Sequence, residues 1–267
     1  MQQGIFPALC LCTCFWLSAS VQANDAVAAL GAGGIVLGTT DDIAMEQEDL
    51  FISEEKIRVS YIFRNTSDHD IEARVAFPVP EFPVESDQDL GLDRESQNPM
   101  DFSVTVNGKP KSFDTEIKKK DGNVKVTHHW LQTFPAGKTL SVKHEYRPAT
   151  GGEAQMYFRE EDRAAKIEKY CIEPGFAAWI DKINLPEKGS VASPRYVDYI
   201  LTTGANWKGP IGKFRLTLQK ENPEDKLTFC GTGVKKVDAR TFVMEKTNFT
   251  PKQDLHVMFV HQYRIDQ

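Results

Sequence analysis

The chain has 267 residues, and its 38 acidic against 32 basic side chains give a formal net charge of −6. Hydrophobic residues make up 40% and charged residues 26% of the sequence, which is typical of a folded globular protein. This composition excludes a disordered tail, a collagen-like chain and a multi-span membrane protein. The acidic balance also argues against a nucleic-acid partner, because such proteins usually carry a basic surplus.

Residues 1–23 have the features of a cleaved export signal. No side chain in this segment is charged, and its apolar stretch is too short to span a bilayer comfortably. Val21 and Ala23 are the small residues expected before a signal-peptidase site. We therefore expect an exported protein that starts at Asn24 and has no transmembrane segment after cleavage. A short N-terminal anchor or a buried helix is the alternative.

The end of the predicted signal also separates the cysteines into two groups. Of the five cysteines, only Cys171 and Cys230 remain once residues 1–23 are removed. In an exported, oxidising compartment such a pair most simply forms one disulfide, with two separate buried thiols as the alternative. A catalytic thiol is disfavoured because the compartment would oxidise it.

Alternating apolar and polar residues predict a mainly β fold. Strands beginning at Ile57 and Ile71 flank turn residues 65–68, which predicts a hairpin with one buried face. The dipeptides Asn107-Gly108 and Asp121-Gly122 are strong signals for two further hairpins.

The chain divides into three parts after the signal. We predict an N-terminal β-sandwich domain at 24–148, a linker and helical segment at 149–190, and a C-terminal β region at 191–267. In the middle segment, acidic residues precede basic ones in the way that a helix dipole favours. The predicted fold is therefore two antiparallel β-sandwich-like regions joined by a short helical segment.

His128 and His144 are candidate site residues. They lie on two alternating strands that we expect to pair around Pro135, and matching the apolar faces puts the imidazoles directly opposite or diagonal to each other. Two such histidines could begin a metal site, but no third ligand is evident from the spacing. We therefore predict that they are hydrogen-bonded structural neighbours and not a zinc site.

Trp207 lies between Gly204 and Gly209 in a predicted loop, where an indole can stack on a ligand or pack on the core. We take Trp207, His128 and His144 together as a candidate ligand or partner surface. The chain has no Gly-x-Ser-x-Gly nucleophile elbow, no His-Glu-x-x-His zinc motif and no phosphate-binding loop. No catalytic, cofactor-binding or metal-binding residue is therefore assigned.

Several stretches resemble a bacterial exported family without an assigned activity, the domain-of-unknown-function family 4424. They are Asn24-Asp25, Gly33-Gly34, Ile43–Glu46, Glu48–Ser53, Phe77–Pro80, Thr203–Ile211 and Phe229–Gly231. The resemblance implies a Gram-negative periplasmic location and supplies no catalytic residues.

The N-terminal half also resembles, more weakly, the vault/inter-alpha-trypsin type of β-sandwich. That pattern has an Asn-containing turn, a Phe-Pro-x-Pro strand end and an Asn-Gly-Lys hairpin, which correspond here to Asn65, Phe77–Pro80 and Asn107–Lys109. This resemblance implies a sandwich and a role in protein interaction, by analogy of fold alone.

Two classes of function stay open. The first is a periplasmic, non-catalytic binding or scaffolding protein of the cell envelope, whose partner is an envelope protein or a small ligand. The second is an envelope hydrolase whose acids and histidines come together only in the fold. An exposed apolar groove would favour binding, whereas two carboxylates or three metal ligands in one cleft would favour hydrolysis. The missing motifs favour the first class, with no cofactor.

The export signal gives a direct test. N-terminal sequencing of the exported protein should read from Asn24, because the uncharged apolar segment ends in the small residues at positions 21 and 23. A purified exported protein that retains residues 1–23 would contradict this prediction.

Overall fold

The computed structural model describes residues 26–31, 34–38, 40–79, 82–84, 90–156, 158 and 160–264. The strands are β1 (Ala26–Gly31), β2 (Gly34–Gly38), β3 (Ile43–Ile52), β4 (Ile57–Asn65), β5 (Ile71–Pro78), β6 (Phe82–Pro83), β7 (Ser103–Val106), β8 (Lys109–Pro110), β9 (Asp114–Lys120), β10 (Asn123–Phe134), β11 (Thr139–Tyr146), β12 (Thr150–Gly152), β13 (Ser190–Tyr199), β14 (Ile211–Gln219), β15 (Lys226–Thr228), β16 (Lys235–Lys236), β17 (Thr241–Phe249) and β18 (Leu255–Arg264). The helices are α1 (Glu160–Tyr170), α2 (Pro174–Ile183) and the 3₁₀ helices Pro186–Lys188 and Thr202–Asn206. The predicted mainly β class is confirmed, whereas the signal segment 1–23 and the start at Asn24 lie outside the described residues.

The strands form three sheets. A six-stranded sheet has the order β2-β1-β5-β10-β6, with β9 on the other edge of β10. An eight-stranded sheet has the order β16-β17-β14-β3-β4-β11-β7-β8, and a four-stranded sheet has the order β12-β13-β18-β15. Among the described strands, β14 and β3 are the one parallel pair. The predicted domain limits stay a prediction, but strands on both sides of the helical segment enter the eight-stranded sheet.

One predicted hairpin is wrong. β4 belongs to the eight-stranded sheet and β5 to the six-stranded sheet, so the chain between them crosses the sandwich instead of turning back. The buried Asn65 holds this crossing, because its amide group donates to the carbonyls of His69 and Phe134 at 2.8 Å each. Its Oδ1 accepts the backbone N–H of Ser67 at 2.9 Å. Turn-forming residues therefore mark a change of sheet here, and not a hairpin.

The expected pairing of the strands that carry His128 and His144 is also wrong. β10 has β5 on one edge and β9 on the other, so no edge along this part of the strand is free for β11. β11 instead pairs with β4 and β7 in the facing sheet. The Asn107-Gly108 and Asp121-Gly122 hairpins are confirmed, and all four turn residues have the positive φ that such two-residue turns require.

A β-bulge in β3 brings a carboxyl group into the core. The register of β3 against β4 shifts between Met45 and Gln47, so that the side chain of Glu48 turns inward. On the other edge, Gly212 immediately precedes Lys213, the first residue of β14 that pairs with β3. A Cβ at Gly212 would lie 2.6 Å from the carbonyl oxygen of Glu46, which explains why glycine is needed there.

The carboxyl of Glu48 is surrounded by tyrosines. Tyr199 donates its hydroxyl to Oε1 of Glu48 at 3.0 Å, and the hydroxyls of Tyr199 and Tyr61 lie 2.9 Å apart. Burial raises the pKa of Glu48 to about 8, while the Tyr199 hydrogen bond opposes that rise. The core therefore holds Glu48 as a neutral acid at pH 7.

The helices cover the outer face of the four-stranded sheet. Residues of α1, α2, β13 and β18 form a second, smaller apolar core there, and the alternate residues of β18 face the main core. With 11 and 10 residues, α1 and α2 are too short to cross a membrane, and no other helix in the described part of the chain could do so.

The structure contains the predicted disulfide, between Cys171 and Cys230, with Cα atoms 5.0 Å apart. Cys171 ends α1 in the left-handed conformation, at a φ of 49°. The N–H groups of Cys171 and Ile172 donate to the carbonyls of Glu168 and Ile167, which is the Schellman arrangement of a helix end. Glycine is usual at this position, because the left-handed conformation is unfavourable for a residue that has a Cβ atom. The disulfide therefore holds Cys171 in a conformation that cysteine does not favour.

Changing either cysteine to serine should lower the free energy of unfolding by about 2–5 kcal/mol, because the bridge constrains the unfolded chain. The single variants Cys171→Ser and Cys230→Ser and the double variant should behave alike, since one bond is lost in each case. Urea unfolding without reductant measures this, with the reduced wild-type protein as the control. Two free thiols in unfolded, unreduced wild-type protein would contradict the bridge.

The buried acid predicts a pH effect on stability. Between about pH 5 and pH 8 folding takes up a proton at Glu48, because its folded pKa is higher than its unfolded pKa. This group should therefore destabilise the protein by up to about 1.4 kcal/mol for each pH unit across that window. The stability of Glu48→Gln relative to wild type should rise with pH between those limits.

Urea unfolding at several pH values checks the effect. Glu72→Gln is the matched control, because Glu72 is exposed on β5. An equal pH dependence in the two variants would show that Glu48 ionises normally in the folded protein.

Candidate functional site

A polar cleft of about 680 Å³ lies on the outer face of the eight-stranded sheet. It crosses β14, β3, β4, β11 and β7, whose apolar side chains face the core on the opposite side. The cleft is lined by Asp49, Phe51, Arg58, Val59, Ser60, Ser103, Thr105, Lys143, His144, Glu145, Arg215 and Thr217. Residues two apart on each strand point the same way, so the strand register decides which of these side chains become neighbours.

One row of directly opposite residues crosses all five strands. Arg215 is opposite Asp49, and Asp49 is opposite Ser60. Ser60 is opposite Lys143, which is in turn opposite Thr105. Cβ atoms of opposite residues are about 5 Å apart, so neighbouring side chains of this row can contact the same ligand.

A second row runs beside the first, two residues along each strand. It consists of Thr217, Phe51, Arg58, Glu145 and Ser103, in the order of the strands. The guanidinium of Arg58 lies over the ring of Phe51, 4.4 Å from its centroid. This stacking fixes a cation over the ring of Phe51 in the cleft.

Two of the charged groups at the edges of the cleft are already paired. Arg215 binds Glu245 at 2.7 Å, and Lys56 binds Glu145 at 2.7 Å. In the part of the chain that the structure describes, Asp49 and Lys143 form no salt bridge. Their strands are separated by β4, which puts the two backbones roughly 10 Å apart. Apart from Arg215, which is paired with Glu245, the first row therefore offers one negative and one positive charge with the Ser60 hydroxyl between them.

The residues predicted as a ligand surface lie in the core. His128, His144 and Trp207 are 0%, 2% and 4% exposed. The ring of Phe102 contacts both imidazoles, with centroid distances of 5.2 Å to His128 and 5.1 Å to His144. Trp207 packs on Phe63 at 4.4 Å. The three side chains therefore pack inside the sandwich, and of the three His144 alone is also among the residues that border the polar cleft.

Burial also decides the charge of the two histidines. It lowers the pKa of His144 to about 3 and that of His128 to about 4, with a smaller effect from His129 on the latter. Both rings are therefore neutral near pH 7. Nδ1 of His128 lies 2.9 Å from the hydroxyl of Thr115 on the neighbouring strand.

An apolar cavity of about 550 Å³ lies beside the disulfide. Its apolar walls include Leu201, Met244, Phe249 and Leu255, and Lys252 also lines it. Its chemistry differs from that of the polar cleft and suits a ligand with an apolar body.

The cleft residues carry no signal that distinguishes them in the sequence. Ser60, Lys143 and Thr105 occupy the polar positions of alternating strands, where a solvent-exposed side chain is the ordinary expectation. The pairings of β14 with β3, of β3 with β4 and of β4 with β11 together bring Arg215, Asp49 and Lys143 into one row. Alternation predicts which face each residue occupies, but not which strands are neighbours.

A similar fold is found in a protein of Legionella pneumophila that is described as a “putative nutrient binding protein”. The two structures have a TM-score of 0.54 and 20% sequence identity, and the alignment covers 88% of this chain and 72% of the Legionella chain. At this identity the likeness shows a shared fold alone. No curated protein matches the sequence.

More distant structures include the leukotriene A4 hydrolase of yeast and an M1 zinc metallopeptidase of Deinococcus radiodurans. The yeast enzyme gives a TM-score of 0.41 at 10% identity, covering 82% of this chain and 28% of the enzyme. The Deinococcus enzyme gives 0.33 at 10% identity, covering 83% of this chain and 43% of that chain.

The sequence family described as “Domain of unknown function (DUF4424)” matches residues 23–129 and 120–258. These two matches together cover most of the chain and include the β3, β4, β11 and β14 strands of the polar cleft. The resemblance to the vault type of sandwich stays a prediction. The chain belongs to the DUF4424 family.

Proposed function

We propose that this protein is a periplasmic, non-catalytic binding protein of the cell envelope that holds a small solute carrying both charges in its polar cleft. The row from Asp49 through Ser60 to Lys143 is the observation that carries this proposal. Asp49 would bind a ligand ammonium, Lys143 a ligand carboxylate, and Ser60 a polar group between them.

The spacing of the two charges favours a short peptide. An extended chain rises about 3.3–3.6 Å per residue, so the ends of a tripeptide lie about 10 Å apart. This length matches two strands separated by one intervening strand in the sheet. Arg215 is paired with Glu245 and Glu145 with Lys56, so Asp49 and Lys143 are the charges of the first row that are left for the ligand.

The name of the Legionella protein supports a binding role, since its fold is similar over most of both chains. The export signal predicted at residues 1–23 and the family resemblance support a periplasmic location. Together they favour a protein that binds solutes on the outer side of the cytoplasmic membrane.

A hydrolytic role for this cleft is less well supported. Asp49 and Glu145 both line it, and two carboxylates are what a hydrolase would need. They belong to different rows on strands separated by β4, however, and Lys56 binds Glu145 at 2.7 Å. The two carboxylates are therefore better suited to recognition than to a shared proton transfer.

Isothermal titration calorimetry with trialanine tests the proposal. The mature protein should bind it, while N-acetyl-trialanine amide, which carries neither charge, should bind at least about tenfold more weakly. Asp49→Asn and Lys143→Gln should each weaken trialanine binding by roughly tenfold, because a hydrogen bond to a charged group contributes about 1.5–3 kcal/mol.

Two exposed residues outside the cleft provide matched controls. Asp114→Asn on β9 and Lys213→Gln on β14 remove the same charges and should leave binding unchanged. A wild-type protein that does not bind trialanine would contradict the proposal. So would preferential binding of a long-chain fatty acid that survives both cleft substitutions, because the apolar cavity would then be the ligand site.

A further inference from the structure

A cluster of carboxylates around one histidine lies where three distant segments of the chain meet. Glu54 is in the turn between β3 and β4, Glu221 and Asp225 are in the loop between β14 and β15, and His261 is on β18. One ligand atom from each of Glu54, Glu221 and His261 lies within 4.8 Å of the others. Neither the polar cleft nor the apolar cavity includes these residues.

The imidazole of His261 is held at both nitrogens. Nε2 lies 2.7 Å from Oε2 of Glu54, and Nδ1 lies 3.1 Å from Oδ1 of Asp225. Asp225 is itself oriented, because its other oxygen accepts the N–H of Asn222 at 2.8 Å. A metal-binding histidine usually coordinates the ion through one ring nitrogen and donates the N–H of the other to a carboxylate. Asp225 is placed to be that carboxylate when Nε2 binds the ion.

Negative charge exceeds positive charge in this cluster. Three carboxylates meet one imidazole, which can carry one positive charge at most. The buried ammonium of Lys220 donates to the backbone carbonyls of Pro223 and Asp225, and its charge offsets that of the Asp225 carboxylate. The negative charge that remains, on the exposed Glu221, is available to a bound cation.

One oxygen of Glu54 has capacity for a further ligand. The side chain of Glu54 is only 11% exposed, and that of His261 is 6% exposed. Oε1 of Glu54 is buried and has no hydrogen-bond partner among the described residues. Because buried polar atoms are nearly always satisfied, this oxygen is suited to bind a cation held by the same cluster.

We propose that Glu54, Glu221 and His261 form a zinc site, with Asp225 as the positioning residue of His261. An imidazole nitrogen combined with two carboxylates suits Zn²⁺, whereas Ca²⁺ and Mg²⁺ prefer sites made of oxygen alone. Three protein ligands leave a fourth position for water. Zinc at Nε2 takes the place of the proton that this nitrogen shares with Glu54.

Two ligands have to move. Ligand atoms around tetrahedral zinc lie roughly 3.3 Å apart, given bond lengths of about 2.0–2.1 Å. Oε2 of Glu54 and Nε2 of His261 are 2.7 Å apart in a hydrogen bond, so the Glu54 carboxylate has to shift away from the ring to admit the ion. Glu221 is exposed on its loop, so its side chain can approach the other two ligands without rearranging the core. Bound zinc would then fasten the β3–β4 turn and the β14–β15 loop to β18.

Zinc binding by untagged, chelator-treated protein tests this site, with its disulfide kept oxidised. Titration against a fluorescent zinc chelator should give one Zn²⁺ per chain, and elemental analysis after gel filtration should confirm that ratio. Glu221→Gln and His261→Gln should each weaken binding by roughly tenfold or more, and Asp225→Asn by about 10–100-fold, the range typical of residues that orient a ligand.

His256→Gln is the matched control, because His256 is also on β18 and also pairs with an aspartate, Asp198, at 2.9 Å. It should bind zinc like the wild type. Glu221→Gln keeps the test decisive if the buried substitutions disturb folding, since Glu221 is exposed. A wild-type protein that retains no zinc would overturn the proposal. So would zinc binding that is unchanged in Glu221→Gln, or zinc binding that is weakened as much in His256→Gln as in the site variants. Displacement of zinc by calcium at similar concentrations would also overturn it.

Discussion

The parallel pairing of β3 with β14 is the constraint on which the rest of the structure depends. It joins a strand near the start of the described chain to one beyond the helical segment, in a register that runs from Gln47 opposite Lys213 to Ile52 opposite Leu218. Because parallel strands end at the same edge of a sheet, the segments that follow them emerge together. This explains why Glu54, just after β3, meets Glu221, just after β14. The same pairing places Arg215 beside Asp49 in the polar cleft.

The two faces of β3 serve different purposes because of its bulge. The shift between Met45 and Gln47 lets Glu48 face the core while the next residue, Asp49, faces the cleft. A strand without the bulge would exchange these two faces, since a shift of one residue reverses every side chain. Gly212 belongs to the same arrangement, because its missing Cβ lets β14 approach the bulged carbonyl of Glu46. The β-bulge is therefore what keeps the neutral acid Glu48 in the core while the charged Asp49 faces the polar cleft.

The helices and the four-stranded sheet are attached to the β3–β14 pair and its sheet by specific cross-links. The disulfide between Cys171 and Cys230 ties the end of α1 to the segment after β15, and the proposed zinc site ties β18 to the ends of β3 and β14. Helices of 11 and 10 residues are marginal by themselves, so their stability depends on such anchoring and on the second apolar core. The apolar cavity, the cluster of Glu54, Glu221 and His261, and the disulfide are therefore all located where segments distant in sequence meet.

The amino-acid sequence alone determined the mainly β class, the Asn107-Gly108 and Asp121-Gly122 turns and the Cys171–Cys230 disulfide. The strand class and the turns depend on residues that are neighbours in the sequence. The disulfide could be predicted because only two cysteines remain after residues 1–23.

Only the tertiary structure decided the partners of each strand. Residues 65–68 and Pro135 looked like hairpin turns, but each lies where the chain crosses between sheets, because a turn signal does not say which sheet the next strand joins. For the same reason His128 and His144 proved to be core residues, while the sequence did not single out Asp49, Lys143 and His261, which the fold brings into the polar cleft and the carboxylate cluster. Alternation fixes which face a side chain occupies; the folding of distant strands against one another decides which side chains meet on that face.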